Sequence, residues 1–219
     1  GKILESVRRE FENMLQKKII RESKSEWASP LIVVKKGDGS YRPCGDYRLL
    51  NQRTKPDRYP LPRMSDILSA VSNCKIFSTI DLEKAYHQIP IHEEDKHKTA
   101  IITQFGLYEY NFMPFGLKNA SQTFQRYIDQ ILRPFRAFAL SYIDDIIIFS
   151  PDQNSHKQNL AAVRTALQQN GLKINENKCK FHQHNVNFLG FNISCEGIQP
   201  IQDKIDQILN LKAPANAKH

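Results

Sequence analysis

The chain has 219 residues, of which 40% are hydrophobic and 25% charged, so it can bury a core as one domain or two closely joined lobes. No apolar run approaches the roughly 18 residues of a membrane helix, and the charged, amphipathic start is unlike a secretion signal. Lys and Arg number 31 against 23 Asp and Glu; the net charge of +8 is compatible with a polyanionic partner but does not require one. Four scattered cysteines indicate free thiols in a reducing compartment.

The N-terminal third predicts a helix followed by a hairpin. Residues 3–20 carry an apolar stripe at helical spacing that includes Ile3, Val7, Phe11 and Ile19. The run LIVVKK, the turn GDGS and the run YRPCGDYRLL then predict two antiparallel strands. Three prolines in KPDRYPLP predict an extended connector.

The remaining elements alternate between short helices and strands. In chain order they are a helix at 64–72, a strand at 75–82, a helical turn at 83–89, a hairpin around Phe105-Gly106, a helix at 119–133, a hairpin centred on Asp144-Asp145, a helix at 156–170 capped by Ser155 and closed by Gly171, and strands around 172–175, 179–182 and 186–194. Hairpins and packed helices without a βαβ repeat predict an α+β fold.

Two adjacent carboxylates, Asp144 and Asp145, stand inside the apolar run SYIDDIIIFS. An isolated acidic pair is more often a structural turn than a site, because Asp tolerates turn geometry. Asp81, however, ends another apolar strand, FSTIDL. If the two elements are neighbours, three carboxylates converge and repel each other, and Mg²⁺ with its preference for oxygen ligands would relieve that repulsion.

Several longer segments resemble motifs of reverse transcriptases. YIDD resembles the catalytic motif, FSTIDLEKAYHQIPI the motif with the first catalytic aspartate, FMPFGLKNASQTFQR the motif beneath the nascent base pair, NFLGFNIS the primer-gripping hairpin and WASPLIVVKKGDGSYRPCGDYRLLN the fingers. The motifs stand in the family's order, and the chain is similar to the reverse transcriptases of Gypsy-type LTR retrotransposons, relatives of the retroviral and pararetroviral enzymes.

The resemblance implies an α+β right-hand polymerase with an antiparallel palm sheet backed by helices. It assigns 1–74, including the N-terminal helix, and 92–112 to the fingers, and 75–91 and 113–200 to the palm with its primer grip. Residues 201–219 would start a thumb that is truncated here. We therefore expect this fragment to bind primer and template weakly and to be weakly active.

The resemblance also implies roles for single residues. The catalytic and metal-binding residues are Asp81, Asp144 and Asp145, with the Leu82 carbonyl as a further ligand of two Mg²⁺ ions for which Mn²⁺ can substitute. The dNTP-binding residues are Lys36, Arg42, Tyr86, Phe115, Gly116 and Lys178, and the primer-grip residues are Phe188, Leu189 and Gly190. Other interpretations stay open: a buried aromatic for Tyr86, exposed loop lysines for Lys36 and Lys178, and a core strand for the primer grip. Ser121 stands where the family often has proline.

The function implied is RNA- and DNA-templated addition of dNTPs to a primer 3′-hydroxyl by two-metal phosphoryl transfer. The partners implied are an RNA or DNA template with primer, dNTP and the remaining Pol domains, namely thumb, connection and RNase H. The location implied is the cytoplasm, within virus-like particles of the retroelement, with the nucleus as an alternative. Two competing functions are an RNA-templated RNA polymerase, against which Tyr86 argues, and a catalytically weak nucleic-acid-binding fragment.

Overall fold

The computed structural model describes residues 2–35, 39, 41–202 and 206, so Lys36 and most of the predicted start of the thumb lie outside the described residues. The α-helices are α1 Lys2–Gln16, α2 Arg48–Arg53, α3 Met64–Val71, α4 Glu93–Lys96, α5 Ala120–Leu132 and α6 Gln153–Gln169. The strands are β1 Ile20–Glu22, β2 Ser29–Lys35, β3 Tyr41–Gly45, β4 Ile76–Asp81, β5 Ile101–Thr103, β6 Gly106–Tyr110, β7 Ala139–Tyr142, β8 Asp145–Ser150, β9 Lys180–Gln183, β10 Asn185–Phe188, β11 Phe191–Ser194 and β12 Gly197–Pro200.

The chain forms two compact units, each made of two stretches of sequence. The first comprises Gly1–Pro60 and Lys84–Tyr127, and the second Leu61–Glu83 and Ile128–His219. These divisions differ from the predicted segment boundaries, because residues 61–74 belong to the second unit and residues 84–91 and 113–127 to the first. The assignment of segments to fingers and palm remains a prediction.

The first unit contains a five-stranded sheet in the order β1-β6-β5-β2-β3. Its pairs are antiparallel except for β2 and β5, which are parallel. Both predicted hairpins, β2–β3 and β5–β6, are present. Helix α1 contributes Val7, Phe11 and Met14 to the buried core of this unit.

The predicted first helix ends earlier than its apolar stripe suggested. Lys18 adopts φ 56°, Ile19 N–H donates to the Met14 carbonyl at 2.9 Å, and Lys18 N–H donates to the Leu15 carbonyl at 2.9 Å. This pair of bonds around a left-handed residue is a Schellman motif, which ends a helix. Ile19 is therefore buried after the helix, whereas Ile3, at the other end of the stripe, is 47% exposed.

The second unit contains two antiparallel sheets, in the orders β7-β8-β4-β9 and β10-β11-β12. Strand β8 is buried from Ile146 to Ser150 and lies centrally between β7 and β4. A continuous apolar run is typical of a strand covered on both faces. Phe77, Ile147, Phe149, Val186 and Phe188 belong to one buried core cluster.

A buried polar network joins α6 to the four-stranded sheet. His156 is 0% exposed, and its ring nitrogens lie 2.7 Å from Ser78 Oγ on β4 and 3.0 Å from Ser150 Oγ on β8. Asn159 Nδ2 also donates to Ser150 Oγ, and His182 N–H donates to Ser78 Oγ. The network therefore connects the two strands that end in Asp81 and begin with Asp145.

Three details of the C-terminal half differ from the prediction. The cap of α6 is Asp152 and not Ser155, because the Asp152 carboxylate accepts from the N–H groups of Asn154 and Ser155. The predicted strand at 172–175 is a single bridge between Leu82 and Ile174. The predicted strand at 186–194 is two strands, β10 and β11.

Candidate functional site

Asp81 and Asp145 face each other across two central strands. Strands β4 and β8 pair antiparallel from Ile76↔Ser150 to Asp81↔Asp145, so the carboxylates occupy opposite positions at one end of the ladder. Directly opposed residues on one face of an antiparallel pair have Cβ atoms about 5 Å apart. The predicted side-by-side arrangement of the two carboxylate-bearing elements is therefore confirmed.

Asp144 lies in the two-residue connection between β7 and β8, beside Ile143. Ile143 has φ 57°. A left-handed conformation is unusual for a β-branched residue, and such strain is concentrated at functional sites. The turn leaves Asp144 exposed immediately next to the strand end that carries Asp145.

The three carboxylates interact electrostatically. Partial burial raises the pKa of the Asp145 carboxyl, and the negative charges of Asp144 and Asp81 raise this pKa further. Lys178 Nζ lies 3.9 Å from Asp81 Oδ2, with 68% of the Lys178 side chain exposed. An ion pair so long and so exposed contributes little to stability, so the anionic cluster stays incompletely neutralised.

The backbone after Asp81 is held by the segment around Cys179. Asp81 N–H lies 3.4 Å from Cys179 Sγ, and Asn175 N–H donates to the Asp81 carbonyl at 2.9 Å. Glu83 N–H donates to the Lys173 carbonyl at 2.9 Å. The hydrogen bonds of the Leu82 bridge thus come from neighbouring residues and do not use the Leu82 carbonyl. The predicted metal-ligand role of Leu82 requires that this carbonyl be available. All four cysteines are free thiols, as predicted.

A polar groove of about 460 Å³ borders the carboxylates. Its walls include Asp81, Asp145, Lys178, Lys180, Asn187 and Leu189. Ligand pockets commonly have volumes of about 300–1,000 Å³. The groove therefore joins Asp81, Asp145, Lys178 and two predicted primer-grip residues, Phe188 and Leu189, within the second unit.

The predicted primer-grip residues divide between core and turn. Phe188 is only 3% exposed and packs in the core, which agrees with the core-strand alternative for this residue. Leu189 and Gly190 connect β10 to β11 and have φ 50° and 82°. Positive φ at both positions is the signature of a type I′ hairpin turn. Phe188 and Leu189 both line the groove, and the turn is the more accessible part because Phe188 is almost completely buried.

Tyr86 belongs to an aromatic cluster in the first unit. Its ring lies 5.0 Å from the Phe115 ring and 5.8 Å from the Phe124 ring. The Tyr86 and Ser121 hydroxyls form a hydrogen bond of 3.0 Å. Tyr86 and Phe115 are both half-buried, so each ring keeps an accessible part.

Arg42 joins this cluster from strand β3. Its guanidinium lies 4.6 Å from the centre of the Phe115 ring, a cation–π contact. The exposed Arg42 thus contacts Phe115, which in turn contacts Tyr86, and all three are predicted dNTP-binding residues. Lys36, also predicted to bind dNTP, lies outside the described residues.

Glycine at position 116 has a conformational reason, and its predicted role at the dNTP site stays a prediction. Gly116 has φ 92°, while a Cβ added there would meet Tyr47 Cδ2 at an ordinary 3.5 Å. Asn51 pins the loop, because Asn51 Nδ2 donates to the Gly116 carbonyl and Asn51 Oδ1 accepts from Lys118 N–H, both at 2.8 Å.

Sequence reasoning missed three supporting residues. Ser121, Cys179 and His156 contact site residues or their strands through bonds between positions at least 35 residues apart. The sequence shows the apolar spacing around His156 and the serine at position 121 where the family often has proline. Only the folded structure shows that these two side chains contact Ser78 and Tyr86.

The carboxylates fit a divalent cation by chemistry. Among the described residues, no three His, Cys, Asp or Glu side chains lie close enough together to hold a metal ion. Mg²⁺ is usually held by one or two carboxylates together with substrate phosphates, so a complete protein cage is not needed. All-oxygen donors and the raised pKa of Asp145 suit such a site.

Curated proteins similar to this chain are retrotransposon polyproteins. The chain is 44% identical over 218 residues to the retrovirus-related Pol polyprotein from transposon 297 of Drosophila melanogaster, covering 97% of this chain and 21% of that protein. It is 38% identical to the transposon Tf2-3 polyprotein of Schizosaccharomyces pombe, covering 98% of this chain and 16% of that protein. The chain thus spans about a fifth of the length of these relatives, which are Gypsy-type LTR elements.

Solved structures show the fold. A foamy viral protease-reverse transcriptase in complex with double-stranded DNA superposes with TM-score 0.90 at 24% identity, over 97% of this chain and 38% of the other. The prototype foamy virus protease-reverse transcriptase CSH mutant superposes with TM-score 0.79 at 28% identity, over 88% of this chain and 26% of the other. The predicted α+β fingers and palm of a right-hand polymerase are confirmed.

In the described part of the chain, no helix combines the length and apolar character needed to cross a membrane.

The family model for reverse transcriptase (RNA-dependent DNA polymerase) matches residues 34–193, which include every described residue of the predicted site. The chain therefore belongs to the reverse transcriptase family.

Proposed function

We propose that this chain is the polymerase core of a retrotransposon Pol polyprotein, adding dNTPs to a primer on RNA and DNA templates. The observation that carries the proposal is the opposition of Asp81 and Asp145 in the β4–β8 ladder, with Asp144 in the adjoining turn. Three neighbouring carboxylates, one of them beside a strained Ile143, make a poor structural feature because they repel one another, but a good cation site.

Asp81, Asp144, Asp145 and the Leu82 carbonyl would hold two Mg²⁺ ions, or Mn²⁺ in their place. The bound ions would activate the primer 3′-hydroxyl and stabilise the charge on the phosphates. The chain's own contribution is to fix its oxygen ligands. The β4–β8 ladder fixes Asp81 and Asp145, and the hydrogen bonds from Asn175 and Glu83 fix the backbone on either side of Leu82.

In the proposed reaction the primer 3′-hydroxyl loses its proton to solvent and its oxygen forms a bond to the α-phosphorus. The bond from that phosphorus to the β-phosphate oxygen breaks, which releases pyrophosphate. Positioning and charge stabilisation carry most of such a transfer. Lys178, exposed and 3.9 Å from Asp81 Oδ2, is the proposed proton donor to pyrophosphate.

We assign the incoming nucleotide to the residues of the first unit. Arg42 would contact the triphosphate with a forked guanidinium, supported by Lys36. Phe115 and Gly116 would lie against the nucleotide. Tyr86 would place its ring where a ribose 2′-hydroxyl would otherwise go, which favours deoxynucleotides. The contacts of Tyr86 and Arg42 with Phe115 support their action as one group.

The proposed partners are a template with its primer and the other Pol domains. The net charge of +8 supports salt-sensitive attachment to phosphates. Leu189 and Gly190 would contact the primer from the β10–β11 turn, with Phe188 as their anchor in the core. Solved relatives are described in complex with double-stranded DNA and with an RNA/DNA hybrid. We place the protein in cytoplasmic virus-like particles.

Primer extension on an RNA template, with the chain in excess and Mg²⁺ or Mn²⁺ present, tests the proposal. Asp144→Asn should reduce the extension rate by at least on the order of a hundredfold. Asp66→Asn, the same change at an exposed residue of α3, is the matched control and should retain the rate. Full activity in Asp144→Asn would rule out the assigned chemistry.

The same assay separates the competing functions. Preference for NTPs over dNTPs would indicate an RNA-templated RNA polymerase. Binding of primer and template without metal-dependent extension would indicate a non-catalytic nucleic-acid-binding fragment.

A further inference from the structure

The hydroxyl of Ser121 reaches the functional end of Tyr86. The two hydroxyl oxygens lie 3.0 Å apart, although the residues are 35 positions apart in the chain. Ser121 is on α5, whereas Tyr86 is on the short 3₁₀ turn Ala85–Gln88. The contact therefore ties together two elements of the first unit.

Packing restrains the body of the Tyr86 ring from two sides. Phe115 meets it at 5.0 Å with an interplanar angle of 59°, and Phe124 at 5.8 Å with 70°. These ring contacts act on the body of the ring, whereas a directional hydrogen bond acts on the phenol oxygen. The bond to Ser121 restrains the phenol oxygen, the atom farthest from the backbone.

The Ser121 hydroxyl is not needed to start helix α5. Ser121 is the second residue of α5, and Asn119 precedes the helix, accepting the Thr123 N–H at its carbonyl. Serine inside a helix is less favourable than alanine. Replacement of Ser121 by alanine should therefore leave the helix intact, so an effect on the site cannot come from loss of α5.

We propose that Ser121 is a positioning residue for sugar selection, because its hydroxyl holds Tyr86 in the position that excludes a 2′-hydroxyl. The inference rests on the proposed role of Tyr86. Accepting a ribonucleotide requires the Tyr86 ring to move, and that movement breaks the bond to Ser121. The bond thus adds to discrimination against ribonucleotides without touching the nucleotide.

The test measures kcat/KM for a dNTP and for the matching NTP in Mn²⁺-supported primer extension. Ser121→Ala should lower the dNTP-to-NTP ratio roughly two- to tenfold, as expected for loss of one hydrogen bond. Ser121→Thr retains a hydroxyl and should restore most of the ratio. Ser69→Ala, which removes an exposed helical serine hydroxyl from α3, is the control and should keep the wild-type ratio.

A double-mutant cycle isolates the contact. In a Tyr86→Phe background the Ser121→Ala change should have no further effect on the ratio, because the partner hydroxyl is already gone. Two results would overturn this inference and leave the proposed function standing. One is an unchanged dNTP-to-NTP ratio in Ser121→Ala while the wild-type chain extends the primer. The other is an equal effect of Ser121→Ala on this ratio in the wild-type and Tyr86→Phe backgrounds. Absence of any extension by the wild-type chain would overturn the proposed function and this inference with it.

Discussion

Acidification should destabilise the second unit through His156. Burial, together with a smaller effect of the charge of His182, lowers the pKa of His156 from an ordinary 6.5 to about 4. The unfolded chain therefore binds a proton at a higher pH than the folded chain does, so stability falls as the pH drops from about 6.5 to about 4. At about 1.4 kcal/mol per pKa unit, the complete loss amounts to about 3 kcal/mol.

The structure explains why the neutral ring is preferred. His156 is 0% exposed and lies between Ser78 on β4 and Ser150 on β8. A neutral ring has one donor and one acceptor, which the two serine hydroxyls satisfy. A charged ring at that place would have to be desolvated, and the strands it would disturb are those that carry Asp81 and Asp145.

Urea unfolding at pH 8 and pH 5 measures the effect. His156 should account for about 2 kcal/mol of the stability lost over this interval. His156→Gln should remove that part of the pH dependence, and His92→Gln, the same change at an exposed residue, should not. An NMR titration of the wild-type His156 ring gives an independent result. Titration of this ring near pH 6.5 would refute the reasoning even if the glutamine variant fails to fold.

Three further predictions concern the carboxylates, the nucleotide site and helix α6. Asp145→Asn should raise the melting temperature in EDTA above pH 5, because it removes a charge that is partly buried and repelled by Asp144 and Asp81. The gain should shrink at lower pH, where the wild-type carboxyl takes up a proton. An unchanged or lower melting temperature above pH 5 would contradict this prediction. Tyr86→Ala should increase ribonucleotide incorporation relative to dNTP roughly tenfold or more in primer extension, and unchanged rejection would remove its proposed role. Asp152→Ala should lower the melting temperature through loss of the α6 cap, whereas Asp152→Asn should retain most of it; equal effects would count against capping.

The sequence predicted elements well where the chain has strong local patterns. The run LIVVK, the strand IFSTID and the helix beginning at Ala120 all lie where local patterns placed them. Only the first half of the predicted strand YRPCGDYRLL is a strand, because Arg48–Arg53 forms helix α2. Helix ends were less predictable. The first helix stops at Gln16 because Lys18 takes a left-handed conformation, a position usually occupied by glycine or asparagine.

The candidate site was predictable in its residue types but not in its supports. The carboxylates could be found because acids inside apolar strands are conspicuous, but the pairing of β4 with β8 in the register Asp81↔Asp145 is seen only in the structure. The burial of Phe188 and the contact between Tyr86 and Ser121 depend on packing between distant segments, which local pattern does not encode.

The central claim is that Asp81, Asp144 and Asp145 jointly bind the divalent cations used for phosphoryl transfer. Electron paramagnetic resonance of Mn²⁺, titrated into the chain with primer, template and dNTP present, measures that binding directly. We predict binding by the wild-type chain and by Asp66→Asn, and binding weakened at least tenfold in Asp81→Asn, the loss of one charged ligand being worth more than about 1.4 kcal/mol. Equal Mn²⁺ affinity in wild type and Asp81→Asn would contradict the account.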